Sequence, residues 1–136
     1  MRWAPALIAL AASLAGCGLD VRSPDLFLLT RTGQGAKLTM LVNDGGTISC
    51  NGRSPQRLTD PLLLQARDLA NSLDGDAKAK LRIAPPPNSV FNYRIKLQNG
   101  TISFPDTATA GGRFPALARA ELFAVQAAQQ ACGLSG

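Results

Sequence analysis

The chain has 136 residues, with 14 Lys and Arg against 9 Asp and Glu, no His, three Cys and a formal net charge of +5. Without an imidazole it lacks the usual triad base and the commonest metal ligand, and only Glu121 and scattered aspartates are left for a paired-carboxylate site. The basic excess is spread from Arg22 to Arg119 with no run of adjacent bases and few aromatics, which argues against nucleic acid as a partner.

Residues 1–16 have the three-part layout of a secretion signal: Arg2, an apolar segment from Trp3 through Ala15, and the small residues Ala15 and Gly16. The apolar run is shorter than the ~20 residues that a membrane-spanning helix needs, so removal is expected. Leu14-Ala15-Gly16-Cys17 resembles the lipobox of bacterial lipoproteins. That resemblance implies a diacylglycerol thioether on the Cys17 sulfur, cleavage before Cys17, acylation of the new amino group, and a protein held by lipid to a membrane of the bacterial envelope, outside the cytoplasm. Several acyl chains anchor firmly where one is marginal, since each buried CH₂ contributes ~0.8 kcal/mol. Cleavage leaves 136 − 16 = 120 residues, enough for one domain with one core. With Cys17 carrying lipid, Cys50 and Cys132 are left as a pair in an oxidising compartment, and a disulfide is expected; two buried free thiols are the alternative.

Residues 17–24 read as a tether, and residues 25–136 as a single domain. The segment "DLFLLTRTG" (25–33) is an apolar strand candidate closed by Gly33. In residues 35–52, Leu38, Met40 and Val42 alternate with polar neighbours, and Asp44-Gly45 supplies hairpin turn chemistry. A helix follows, with Thr59 and Asp60 as caps, Pro61 in its first turn, a core stripe of Leu62, Ala66, Leu69 and Leu73, and an end at Asp74-Gly75. "IAPPPNS" (83–89) favours extended backbone and bridges the two halves as a linker. Residues 89–104 put Phe91, Tyr93, Ile95 and Leu97 on one face and Asn92, Arg94 and Lys96 on the other, with Asn99-Gly100 as the turn. "DTATAGGRFP" (106–115) reads as a mobile surface loop. The last helix carries Ala118, Leu122, Val125 and Cys132 on its expected core stripe, with Gly133 as its C-terminal cap.

Two hairpin-plus-helix units (about 25–82 and 89–136) follow one another, and Gly46-Thr47-Ile48-Ser49 recurs as Gly100-Thr101-Ile102-Ser103. Each unit has an apolar sheet face and an apolar helix stripe that only the other elements can cover. The expected architecture is therefore a two-layer α+β domain: an antiparallel sheet of four or five strands with two helices on one face.

The order "LTRTGQGAKLTMLV", a Leu- and Ala-rich helix, "FNYRIKLQNGTISF" and a Pro-led final helix is similar to the emfourin-type inhibitors of thermolysin-like metalloproteases. The resemblance implies a non-enzymatic inhibitor-like module and assigns no inhibitory residue. From the residues themselves, the expectation is a binding module with no cofactor and no metal. Arg94, Lys96 and Arg113 are its candidate partner-binding residues, forming a basic rim toward an acidic envelope or secreted protein. A structural envelope component without a dedicated ligand is the alternative, and an enzyme ranks third. Asp74-Gly75-Asp76 lacks the remainder of a calcium loop and reads as a solvated helix end.

Overall fold

In a computed structural model, residues 23–134 are described. The signal segment, Cys17 and most of the tether lie outside them.

The fold begins with alternation. Strand β1 (Asp25–Gly33) turns Phe27 and Leu29 inward, and β2 (Ala36–Asn43) does the same with Leu38, Met40 and Val42. Between them, Gln34 and Gly35 have φ of 51° and 71°, the left-handed pair that a two-residue hairpin matched to strand twist requires. A loop over residues 44–46 leads to β3 (Thr47–Cys50); there the Asn43 side-chain carbonyl accepts a 2.8 Å hydrogen bond from the Gly45 N–H. A two-residue strand, β4 (Gln56–Arg57), pairs with β3.

Helix α1 (Asp60–Lys78) starts as its sequence dictates. Thr59 caps it, its hydroxyl accepting from the Leu62 N–H at 3.4 Å, and Pro61 sits in the first turn. Leu62, Ala66, Leu69 and Leu73 are buried as expected. The helix runs past Asp74-Gly75 because its last turn is held on two sides: Ala77 is buried, and Lys78 pairs with Asp74 at 2.9 Å. Gly75 alone does not stop a helix whose following residues still bury an apolar side chain.

Strands β5 (Asn92–Leu97) and β6 (Gly100–Pro105) form the second hairpin. Its turn residues are Gln98 and Asn99, while Gly100 opens β6 opposite Leu97. Glycine is needed there by close approach, since a Cβ would collide with the Ala77 carbonyl at the end of α1. Nearby, the Asn99 amide donates to Asp74 at 2.7 Å, so the turn docks on the helix through backbone and side chain together. This amide and Lys78 hold the Asp74 carboxyl below its usual range.

Residues 106–115 are not an open loop. Asp106–Gly112 is a 3-10 segment kinked at Ala110 and Gly111, where the backbone leaves helical angles; Ala108 is buried, and Thr109 donates to Glu121 of the final helix at 3.1 Å. Small residues permit this tight turn where a bulkier segment would have been excluded. Helix α2 (Pro115–Gln130) is also rotated from expectation: Leu117, Ala120, Phe123, Ala124, Ala127 and Ala128 face the core, and Leu122 is 55% exposed. The cause is size. Phe123 claims the interior and meets Phe27 edge-on at 5.6 Å, and the alanines beside it let the helix approach closely.

The sheet has six strands in the order β4-β3-β2-β1-β5-β6, with every neighbouring pair antiparallel. The expected four or five omitted β4, which is too short to show alternation. Both helices cover one face, and the architecture is the two-layer α+β domain. Ile48 and Ile102, from the two recurring tetrapeptides, occupy inward positions on opposite sides of β1. Cys50, at the end of β3, is bonded to Cys132, just past α2, with Cα atoms 5.8 Å apart.

The bridge between the halves does more than connect them. Ile83 donates its N–H to the Ser103 carbonyl at 2.8 Å, and Ser103 donates to the Leu81 carbonyl at 3.0 Å, so residues 81–83 add a parallel bridge to the open edge of β6. Leu81 and Ile83 pack on the core, while Arg82 points outward and is exposed. Proline-rich chain beyond it discourages further strand pairing at that edge.

Candidate functional site

With both helices on one side, the other face of the sheet is open. Register fixes which side chains share it. Thr39, Thr30, Arg94, Ser103 and Arg82 are successive cross-strand partners and form one row across the sheet. Lys37, Thr32 and Asn92 form the adjacent row, and Leu41, Leu28, Lys96 and Thr101 the row on the other side. Arg82, Arg94, Lys96 and Lys37 are exposed, and none takes part in a salt bridge among the described residues.

The acids lie elsewhere. Asp60, Asp68, Asp74 and Asp76 belong to α1, and Asp44 is bonded to Arg67 of α1 at 2.6 Å. Glu121 is on α2, and Asp106 accepts from the Val90 N–H at the start of the 3-10 segment. Among the described residues, Asp25 alone stands at the margin of the open face, where the Asn43 amide donates to it at 3.1 Å. Charge is therefore sorted by layer, acids with the helices and unpaired bases on the bare sheet. Its consequence is a face whose field favours an anionic partner.

The bare face is also concave. A groove of about 570 Å³ runs over Thr30, Thr32, Lys37, Asn92, Arg94 and Ser103, walled by residues 82–85 of the bridge. A second depression of about 470 Å³ shares Arg82, Arg94 and Ser103 and adds Lys80 and Thr101. The two guanidinium groups thus bracket one serine at the boundary of both.

Of the sequence-derived candidates, Arg94 and Lys96 are neighbours on this face. Arg113 is exposed at the end of the 3-10 segment, immediately before α2, and so stands with the helix layer rather than in the row. Arg82 was missed. Its nearest sequence signal, the prolines at 85–87, suggests a linker, and only the pairing of residues 81–83 with β6 turns its side chain onto the sheet.

The polar cluster on the helix side has a different character. Burial pushes the Glu121 carboxyl up, its Oε1 meets no partner, and Thr109 bonds its other oxygen. Burial likewise raises Tyr93, whose ring stacks on Phe104 at 5.2 Å. Arg31 lies 4.8 Å over the Phe91 ring. Asp106 and Glu121 are occupied in fastening the 3-10 segment to its neighbours. A smaller cleft of about 140 Å³ between the helices, lined by Leu69, Leu122 and Phe123, is flanked by the Arg119–Asp68 pair at 3.2 Å.

Among the described residues, no helix is long and apolar enough to cross a membrane, and no group of three His, Cys, Asp or Glu side chains could hold a metal ion. In comparison with known proteins, no family model, curated protein or solved structure matches the chain. The likeness to emfourin-type inhibitors rests on the sequence segments quoted above.

Proposed function

We propose that this chain is a lipid-anchored, non-enzymatic binding module of the bacterial envelope that engages an acidic partner through the bare face of its sheet. The observation that carries this reading is the sorting of charge by layer, with Lys37, Arg82, Arg94 and Lys96 unpaired on an open face that bears hardly any acid. A surface serving only solubility would gain most by interspersing both signs. The anchor is supported by the resemblance of Leu14-Ala15-Gly16-Cys17 to a lipobox, and the resemblance to emfourin-type inhibitors makes an extracytoplasmic protease one partner of suitable kind.

The test is photocrosslinking in living cells, with a photoreactive amino acid at Thr30 on the bare face and, separately, at Gln65 on the helix layer. A discrete adduct from Thr30 that is lost when Arg94 and Lys96 are both changed to Ala is the expected result. Exposed substitutions of this kind typically change stability by only about 0.5 kcal/mol each, so the fold survives them. An adduct from Gln65 alone, or none from either site, overturns the reading and favours a purely structural envelope role.

A further inference from the structure

The spacing of the cations on the bare face carries information about what they meet. Numbering strands from β2 across β1, β5 and β6 to the paired bridge, Lys37 is on the first, Arg94 on the third and Arg82 on the fifth. Adjacent strands are about 4.8 Å apart, so successive cations stand about 10 Å apart along the groove, which spans about 19 Å in all. Lys37 is offset by one row, a distance that its flexible stem can bridge.

Between the cations lie groups that both donate and accept: the Thr30 and Ser103 hydroxyls in the Arg94 row, and Thr32 and Asn92 in the next. A compact anion without O–H groups, such as a phosphodiester, uses donors only, whereas an extended peptide backbone presents free N–H and C=O groups and uses both. A polyproline II chain has three residues per turn, a rise of about 3.1 Å per residue and no internal hydrogen bonds. Its side chains at i, i+3 and i+6 therefore line one edge at about 9.3 Å intervals, close to the cation spacing.

Resting on the binding-module reading above, we propose that the groove is the docking site for an extended acidic protein segment in polyproline II conformation, with Asp or Glu at every third position. Lys37, Arg94 and Arg82 take the three carboxylates in turn. The planar forks of the two arginines pair with carboxylates in a bidentate manner, and the hydroxyl rows bond the peptide backbone. Residues 82–85 close the groove at the β6 edge, where Arg82 takes the last carboxylate.

The probe is a blocked nonapeptide of three Glu-Pro-Ser repeats, compared with a permuted peptide of the same composition whose three Glu are adjacent. Binding to the purified protein is read by anisotropy of the labelled peptide and by backbone amide shifts. The expected result is shifts centred on Thr30, Lys37, Arg82, Arg94 and Ser103, with the spaced peptide binding more tightly than the permuted one. Arg82→Ala and Arg94→Ala should each weaken it about threefold to fivefold, the upper end for exposed ion pairs, with unchanged amide spectra elsewhere. Arg82→Lys keeps the charge and loses the fork, so its affinity should fall between those of the unaltered protein and Arg82→Ala.

Equal affinity for both peptides would reduce the effect to unspecific attraction and overturn the proposal. Tighter binding of glucose 6-phosphate or of phosphatidylglycerol vesicles than of the spaced peptide would overturn it in favour of phosphate or lipid. Failure of the peptide beside a Thr30 adduct in cells refutes this occupant and leaves the binding face intact. Peptide binding without an adduct supports the groove and refutes the partner in the envelope.

Discussion

Reducing the Cys50–Cys132 bond tests how much of the fold depends on a cross-link between the sheet and the end of the helix layer. The bond closes a chain loop with a sequence separation of 82. On the loop-entropy account, freeing such a loop gives the unfolded chain about 15 cal/mol/K, or about 4.5 kcal/mol at room temperature. Chemical reduction is the cleanest perturbation, because Cys50 is buried and replacing it would add a cavity to the lost cross-link. For a domain of this size each kcal/mol shifts the midpoint by about 4 °C, so reduction should lower Tm by roughly 18 °C. Paired calorimetric scans with and without a phosphine reductant measure this, and thiol labelling of the denatured, unreduced protein should find neither Cys50 nor Cys132 free. A fall under about 5 °C would refute the entropic reasoning and mean that the unfolded ensemble is already restricted without the bond.

Gly100→Ala should cost about 1–3 kcal/mol in urea unfolding, because the new methyl group meets the Ala77 carbonyl and must push β6 off α1; a loss under about 0.5 kcal/mol would show that this approach is not tight. Glu121→Gln probes a carboxyl whose folded pKa is raised, chiefly by burial. A raised carboxyl opposes folding when ionised, so the variant should be the more stable protein at neutral pH, and its advantage should shrink as pH falls through the raised pKa toward the ordinary 4.5. Urea midpoints across that range check the sign, and an advantage that grows on acidification would reverse it. Cys17→Ser should move the protein from the membrane to the soluble fraction, and intact-mass analysis showing no acyl chains on the unaltered protein would remove the anchor.

Which elements could be read from the sequence follows from how local their causes are. β1 was legible to its last residue, since its apolar run and the closing Gly33 act within a few positions, whereas which of Leu26, Phe27, Leu28 and Leu29 turn inward was not. The start of α1 was legible for the same reason, Thr59 and Pro61 being local signals. The end of α1 was not, because Ala77 stays helical for its contact with a hairpin that is distant in sequence. The face of α2 was misread because alanine marks no side by itself. Leu122 and Val125 are large apolar residues at helical spacing, whereas the interior takes Phe123 and the small side chains around it. Large apolar residues predict burial only when the partner's surface has room for them.

For the candidate site, alternation within β5 was enough to place Arg94 and Lys96 outward, because a strand buried on one face exposes the other set. What alternation cannot supply is the neighbour across strands. The row from Thr39 to Arg82 joins residues of four strands and a bridge segment, and a slip of one residue in any pairing would send its side chains to the helix side. Arg113 illustrates the converse. It is as basic and as exposed as Arg94, yet the 3-10 segment carries the chain from β6 toward α2 before that residue is reached. Sequence thus supplied the sign of the face and half of its membership; register supplied the spacing, and spacing is what separates a basic surface from a site able to measure its ligand.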